Sequence, residues 1–286
     1  MLWNKTGGCI IMTELQTILL ESMVQFDALC EKEHLTYYML GGTMLGAYRH
    51  QGFIPWDDDM DIGMPREDYE RLLRLSKENI PNGYEVRHFS KEKNIPYAFA
   101  HFENANTTYI EERRSGGGYR GGVYLEIFPL DKTSENKLQA VRMEKKMWFL
   151  KKVLYATLIQ GQTGKSKLKQ CIIAGIGKCT TTDRMVRKLD KALKQQKGIL
   201  FYSNYLGHWG RKESIPVEVM EGVAVHRYLF EGKQFCGAAH PEQYLVALYG
   251  ETFMTPPAEA QREAGKHPPK YIDFKTPYKM RKEELS

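Results

Sequence analysis

Residues 40–63 read LGGTMLGAYRHQGFIPWDDDMDIG: a glycine pair, a short helical stretch, a Phe-Ile-Pro-Trp loop, and then four acids in the five positions from Asp57 to Asp61. An unperturbed aspartate ionises near pH 3.9, so all four should be charged at pH 7. Crowding them costs free energy unless they face water or a cation. The end of the stretch decides the fold. Met60, Ile62 and Gly63 suit a short strand, whose side chains alternate between faces. Asp57, Asp59 and Asp61 then share one face, Met60, Ile62 and Met64 turn into a core, and Asp58 lies off the shared face as a solvated or loop-capping residue. Asp59 and Asp61, two residues apart on a rigid strand, are placed to hold Mg²⁺ or Mn²⁺, hard cations that take oxygen ligands and are commonly completed by substrate phosphates. An acidic turn without a ligand is the plainer alternative.

Upstream, 34–40 (HLTYYML) is rich in β-formers and runs as a strand into a tight turn at Gly41-Gly42. Glycines there admit close approach of a ligand, and N–H groups of the turn and of a helix opening at Thr43 suit a phosphate. That short helix ends at Arg49-His50. Two readings of Arg49 stay open: a planar fork for a donor phosphate, or an ion pair steadying Asp57 or Asp58. Further upstream, Thr13 and Gln16 form a capping box for an amphipathic helix over 13–33, with Leu15, Ile18, Leu19, Phe26, Leu29 and Cys30 at helical spacing.

Downstream, Pro65 introduces a helix over 67–79, strands follow at 84–89 and 97–110, and SGGGYRGG (115–122) leads into the strand 123–131. Alternation puts Val123, Leu125 and Ile127 on one face and Glu126 on the other. A glutamate on such a strand is costly unless paired. It is either a third metal ligand beside Asp59 and Asp61 or the partner of a neighbouring Lys or Arg. Asp131, after the proline, suits loop stabilisation.

The chain's 286 residues, 42% hydrophobic, are enough to bury a full core. Five cysteines (Cys9, Cys30, Cys171, Cys179, Cys236) without C-x-x-C spacing suggest neither a disulfide framework nor zinc. No apolar run reaches the roughly 18 residues of a membrane span, and the amino terminus is too short in apolar residues for a secretory signal. The expected location is a reducing cytoplasm. Residues 1–11 read as an unstructured extension. Net charge is +6, yet 132–198 alone carries 17 Lys/Arg against 4 Asp/Glu, or +13, leaving −7 elsewhere. This basic, mostly helical region suits docking at an anionic leaflet, where a lipid-linked glycan acceptor would be presented, or simply core helices. No recognised nucleic-acid module accompanies it. Beyond Phe201, strands near 223–230 and 234–236 and a helix over 241–249 make a further lobe.

Taken together, Gly41-Gly42-Thr43, Leu45-Gly46-Ala47, Arg49-His50, the run from Gly52 to Asp59, Asp61, Met64-Pro65-Arg66, Tyr69, the 127–131 strand, Leu248-Tyr249-Gly250, Met254 and Pro256-Pro257 resemble the signature of the LicD family, which includes phosphorylcholine transferases and fukutin-related ribitol-phosphate transferases. The resemblance implies an α+β, nucleotidyltransferase-like fold: a small mixed sheet with flanking helices. Its catalytic core would occupy 12–131, followed by a basic helical region (132–200) and a carboxy-terminal lobe (201–286) that completes the domain. It further implies Asp59, Asp61 and Glu126 as catalytic and metal-binding acids, with Glu126 standing where the family usually has Asp. Gly41, Gly42, Thr43, Arg49 and Trp56 would bind the donor, and Arg262 and His267 fall where the family carries basic residues.

The expected activity is metal-dependent transfer of a phospho-alcohol, best phosphocholine from CDP-choline, to a surface-glycan precursor with release of CMP. Trp56, Tyr97, Phe99, Tyr119, Tyr124 and Trp209 are candidates for an aromatic cage around choline. The alternatives are a nucleotidyltransferase using NTP, a glycosyltransferase using a nucleotide-sugar, and an inactive relative that only binds glycan or membrane.

Overall fold

A computed structural model describes residues 12–111, 119–133, 135–158, 175, 179–196, 198–207, 214–259 and 269–280. Helix α1 (Glu14–Glu33) opens on the expected capping box: the Thr13 hydroxyl accepts from the Gln16 N–H at 3.1 Å, and Gln16 Oε1 accepts from the Thr13 N–H at 3.0 Å. The helix stops at His34, which adopts a left-handed φ of 52°. Its inner face carries Leu19, Met23 and Phe26, all buried, and Phe26 packs on Phe102 and Tyr37 with ring centroids 5.4 and 5.5 Å apart. Burying each such side chain contributes about 1.5–3 kcal/mol.

The sheet is mixed. Strands β1 (Tyr38–Met39), β2 (Asp61–Pro65), β5 (Gly121–Thr133), β4 (Ala100–Glu111) and β10 (Pro269–Asp273) lie side by side in that order. β3 (Tyr84–Arg87) pairs with β4, while β6 (Phe201–Ser203) pairs with β5 and with β7 (Ser214–Pro216). Among the described strands of this sheet only β2 and β5 run parallel; the other pairs are antiparallel. This is the α+β architecture expected, and β6, β7 and β10, all beyond residue 200, join the same sheet.

Between β1 and β2 lies helix α2 (Gly41–His50), which starts two residues earlier than predicted and absorbs the glycine pair. The first strand is correspondingly short, because β1 has only Gly63 and Ile62 opposite it. The helix predicted over 67–79 is α3 (Arg66–Arg74), ended by Leu75 in an extended conformation and followed by a single 3-10 turn (Lys77–Asn79).

Asp131 departs from its predicted loop role. It is a buried strand residue, gripped by Arg66 in a two-pronged pair of 2.8 and 2.6 Å, and Arg66 also reaches Asp190 at 3.1 Å. That clamp joins α3 to β5 and to α5 (Thr182–Lys194), which packs beside α4 (Lys137–Leu158).

After α6 (Val217–Met220), the hairpin of β8 (His226–Phe230) and β9 (Lys233–Gly237) turns at Glu231-Gly232, where φ is 48° and 75°. Phe230 meets Phe53 edge-on at 4.8 Å, and Arg227 ion-pairs with Asp27 of α1 at 2.6 Å. Helix α7 (Pro241–Tyr249) falls where expected. Among the described residues no helix is long and apolar enough to cross a membrane. His208, Trp209, Arg262, His267 and all of the apolar 171–177 segment but Gly175 lie outside the described residues.

Candidate active site

Asp61 is the first residue of β2 and stands in register with Glu126 of parallel β5, so the two carboxylates emerge side by side from one face of the sheet. Two backbone bonds fasten this edge, from Leu40 N–H to Asp61 O (2.9 Å) and from Glu126 N–H to Met60 O (3.1 Å). The Thr43 hydroxyl accepts the Asp61 N–H at 2.8 Å, locking α2 against β2.

Strand β2 begins only at Asp61, so strand alternation does not fix the faces of 57–60. This corrects the expected arrangement of the acids. Asp58, Asp59 and Asp61 line a cavity of about 400 Å³, whereas Asp57 does not. Its backbone is held by a turn to Ile54 O (2.8 Å) and by Gln16 Nε2 donating to Asp57 O (2.9 Å). Its carboxylate lies against Gly42, where a Cβ would fall 2.6 Å from Asp57 Oδ2. Gly41, at φ +48°, is tighter still in conformation, and a Cβ there would sit 3.3 Å from Asp61 Oδ2. Both glycines are therefore required by the acids beside them.

Burial pushes the Asp59 carboxyl well above its ordinary range, and Asp61, Asp57, Glu126 and Asp58 push it the same way. Asp57 is raised to about 6, first by burial and then by Asp58, with partial relief from a hydrogen bond with Asp59 and from the Arg49 charge. The set is one of hard oxygen ligands, the donor type that divalent cations take. Among the described residues no three such side chains already converge into a closed metal-holding group.

The same cavity is walled by Tyr97, Phe99, Tyr109 and Tyr124, by Leu154, Tyr155 and Leu158 of α4, and by Tyr244 and Leu248 of α7. Residues 34–155 match the family model described as LicD/FKTN/FKRP, nucleotidyltransferase domain. This stretch of the chain is similar to that domain. Over 88% of its length it is 25% identical to the lipopolysaccharide cholinephosphotransferase LicD of Haemophilus influenzae, covering 95% of that protein. An 80-residue stretch is 30% identical to the human ribitol 5-phosphate transferase FKRP, spanning 28% of this chain and 16% of that protein. A 70-residue stretch is 39% identical to an uncharacterized protein of Rickettsia typhi, 24% of this chain and 23% of the relative.

Within the matched stretch the structure gathers Asp59, Asp61, Glu126 and Gly41 at the cavity. Gly42 and Thr43 sit just behind, against Asp57 and Asp61. Arg49 is outside the cavity wall, donating to Phe253 O at 2.9 Å, and its charge acts on Asp57. Trp56 is half-buried against the core rather than in the wall. Of the aromatic candidates, Tyr97, Phe99 and Tyr124 reach the cavity, while Tyr119 is buried behind it on Glu103.

Lys151 lies in the basic region, yet it is buried, lines the cavity, and donates to Tyr205 O (2.8 Å) and Leu206 O (3.3 Å). Sequence reasoning also missed Tyr244, whose hydroxyl accepts the Gly41 N–H at 3.0 Å, and the buried pair His101 and Glu103. The signal for that pair was available: two ionisable residues at alternate positions in the strand AHFEN share one face.

Proposed function

We propose that this chain is a phospho-alcohol transferase that moves phosphocholine from CDP-choline to a hydroxyl of a cell-surface glycan precursor and releases CMP. The supporting observation is the cavity, where Asp59, Asp61 and Glu126 share walls with Tyr97, Phe99 and Tyr124. Acids suit the diphosphate through a cation. Ring faces suit a quaternary ammonium, which has no N–H to donate. The relatives named for cholinephosphate and ribitol 5-phosphate transfer point to the same reaction class, and the aromatic wall favours choline.

Mg²⁺ or Mn²⁺ fits the donor set, because Asp59 is half-buried at the cavity among other acids that push its carboxyl up. Mg²⁺ is usually bound by one or two carboxylates plus substrate phosphates, so a closed cage of three is not needed beforehand. Asp59 and Asp61 would hold it and Glu126 would complete the set. Bound there, the ion would neutralise charge on the transferred phosphoryl group and the departing nucleotide.

The remaining work falls to the chain itself. Leu40 caps α2 without a side-chain hydrogen bond, leaving the N–H groups near Gly42 and Thr43 and the positive end of the helix for donor phosphate. Arg49 adds charge behind Asp57, and Trp56 flanks the same loop. The acceptor hydroxyl oxygen bonds to the phosphorus that carries choline as the bond from that phosphorus to CMP breaks, and the hydroxyl proton passes to a carboxylate oxygen of Glu126. On α4, Trp148 and Phe149 are exposed beside Lys145, Lys146 and Lys152, a surface suited to peripheral contact with an anionic leaflet bearing a lipid-linked acceptor.

The test is product analysis by ³¹P NMR with Mg²⁺, each donor in turn, and a glycan acceptor. CMP and a phosphocholine-bearing glycan from CDP-choline are expected, with none from Asp59→Asn. Pyrophosphate from CTP, or turnover of a nucleotide-sugar alone, would replace this reading.

A further inference from the structure

Register places Arg87 of β3, His101 of β4, Glu126 of β5 and Asp61 of β2 as successive partners, so one row of ionisable side chains crosses four strands on one face. Inside that row His101 is fully buried, and its ring is sandwiched between Tyr97 (centroids 3.7 Å apart, planes at 16°) and Tyr124 (3.9 Å, 9°). Stacking on both faces leaves the imidazole only its in-plane edge. Nδ1 lies 3.2 Å from Glu103 Oε1, and Nε2 lies 3.8 Å from Glu126 Oε1, at ion-pair distance.

Glu103 is itself fully enclosed and cannot turn away. It takes Arg87 Nη1 at 3.1 Å, the Gly122 N–H at 3.1 Å, Tyr97 Oη at 3.3 Å and the Tyr119 hydroxyl. Against burial, which alone would raise it, the bonds from His101 and Arg87 keep its carboxyl below the ordinary range. A sheet interior gains nothing from so much buried polarity unless every group is satisfied and something is fixed by it. What this network fixes is an imidazole edge aimed at the half-buried acid of the cavity.

We infer that His101 is a positioning residue for Glu126, oriented by Glu103 and the Tyr97/Tyr124 stack so that Glu126 is held ready for the cation and acceptor before either binds. A three-bond side chain that would otherwise sample several rotamers is thereby restricted in advance. The role rests on the transferase reading above, but it can be tested apart from turnover.

The test compares His101→Gln, whose amide nitrogen reaches the place of Nε2, with His101→Asn, whose amide nitrogen reaches only the place of Nδ1. Mn²⁺ affinity is measured by electron paramagnetic resonance of the free ion, beside kcat and KM for CDP-choline and a melting curve. H101N is expected to weaken Mn²⁺ and lower kcat by about 10- to 100-fold, the usual effect of losing a group behind a ligand. KM for the donor should hold, and H101Q should recover most of both losses at a similar melting temperature. His101→Met, with no nitrogen, stands in should H101N fail to fold. Equal behaviour of the Gln and Asn (or Met) variants, or a wild type that binds no Mn²⁺, overturns the inference. A Gln/Asn difference in Mn²⁺ affinity without CDP-choline turnover by the wild type would instead keep it and remove the transferase reading.

Discussion

At Gly42 the nearest atom to an added Cβ is a carboxylate oxygen, 2.6 Å away. Gly42→Ala should therefore displace Asp57 and the acids coupled to it, lowering transfer far more than stability; paired kinetic and melting measurements check this, and unchanged kinetics would contradict it. Asp59→Asn is expected to raise the melting temperature of the metal-free protein while abolishing transfer, because it removes a carboxyl that burial and four neighbouring acids push up. The pH dependence has a definite sign. Carboxyls raised in the folded state, Asp57 to about 6, bind protons more tightly there than in the unfolded chain. Their contribution is complete below the ordinary aspartate value and is lost as pH rises through about 6. It is best read as wild type minus Asp57→Asn between pH 4 and 7, so that His88, lowered to about 3 chiefly by burial, cancels. That Asp59, Asp61 and Glu126 would come together was legible in sequence because two of them lie on strands. The placing of Asp57 and Asp58 was not: β2 begins only at Asp61, and it is Asp58 that lines the cavity while Asp57 lies against Gly42 and hydrogen-bonds with Asp59.

Elements with a regular period or a local signature were the readable ones. Helix α1 announced its start through Thr13 and Gln16, and the 123–127 alternation set the face of Glu126 correctly. Long-range partners were not readable, since nothing near Asp131 in sequence indicates that Arg66 would meet it across the fold. That clamp carries its own expectation. Arg66→Ala leaves Asp131 and Asp190 without the fork that joins α3, β5 and α5, and should destabilise the chain by roughly 3–5 kcal/mol, as breaking one side of a buried pair does. Denaturant melts measure it, and a loss within the scatter of surface substitutions would mean the clamp is dispensable.

Across the whole molecule, charge is divided between an acidic cavity and a basic stretch, and Lys151 belongs to the first although its sequence neighbours belong to the second. Removing the charges of Lys145, Lys146 and Lys152 while keeping Lys151 should reduce flotation with anionic liposomes and leave transfer to a soluble acceptor intact; equal partitioning with wild type would sink the leaflet contact. The central claim, a cation-assisted site for a CDP-alcohol, is met most directly by a thermal-shift panel. Wild type and Asp59→Asn are melted with Mg²⁺ or Mn²⁺ and, in turn, CDP-choline, CDP-ribitol, CDP-glycerol, CTP and UDP-sugars, since a ligand of the folded state raises the melting temperature. A metal-dependent rise with CDP-choline in the wild type, absent in Asp59→Asn, is the predicted result. A rise only with CTP or a UDP-sugar, or one that needs no metal, would contradict it.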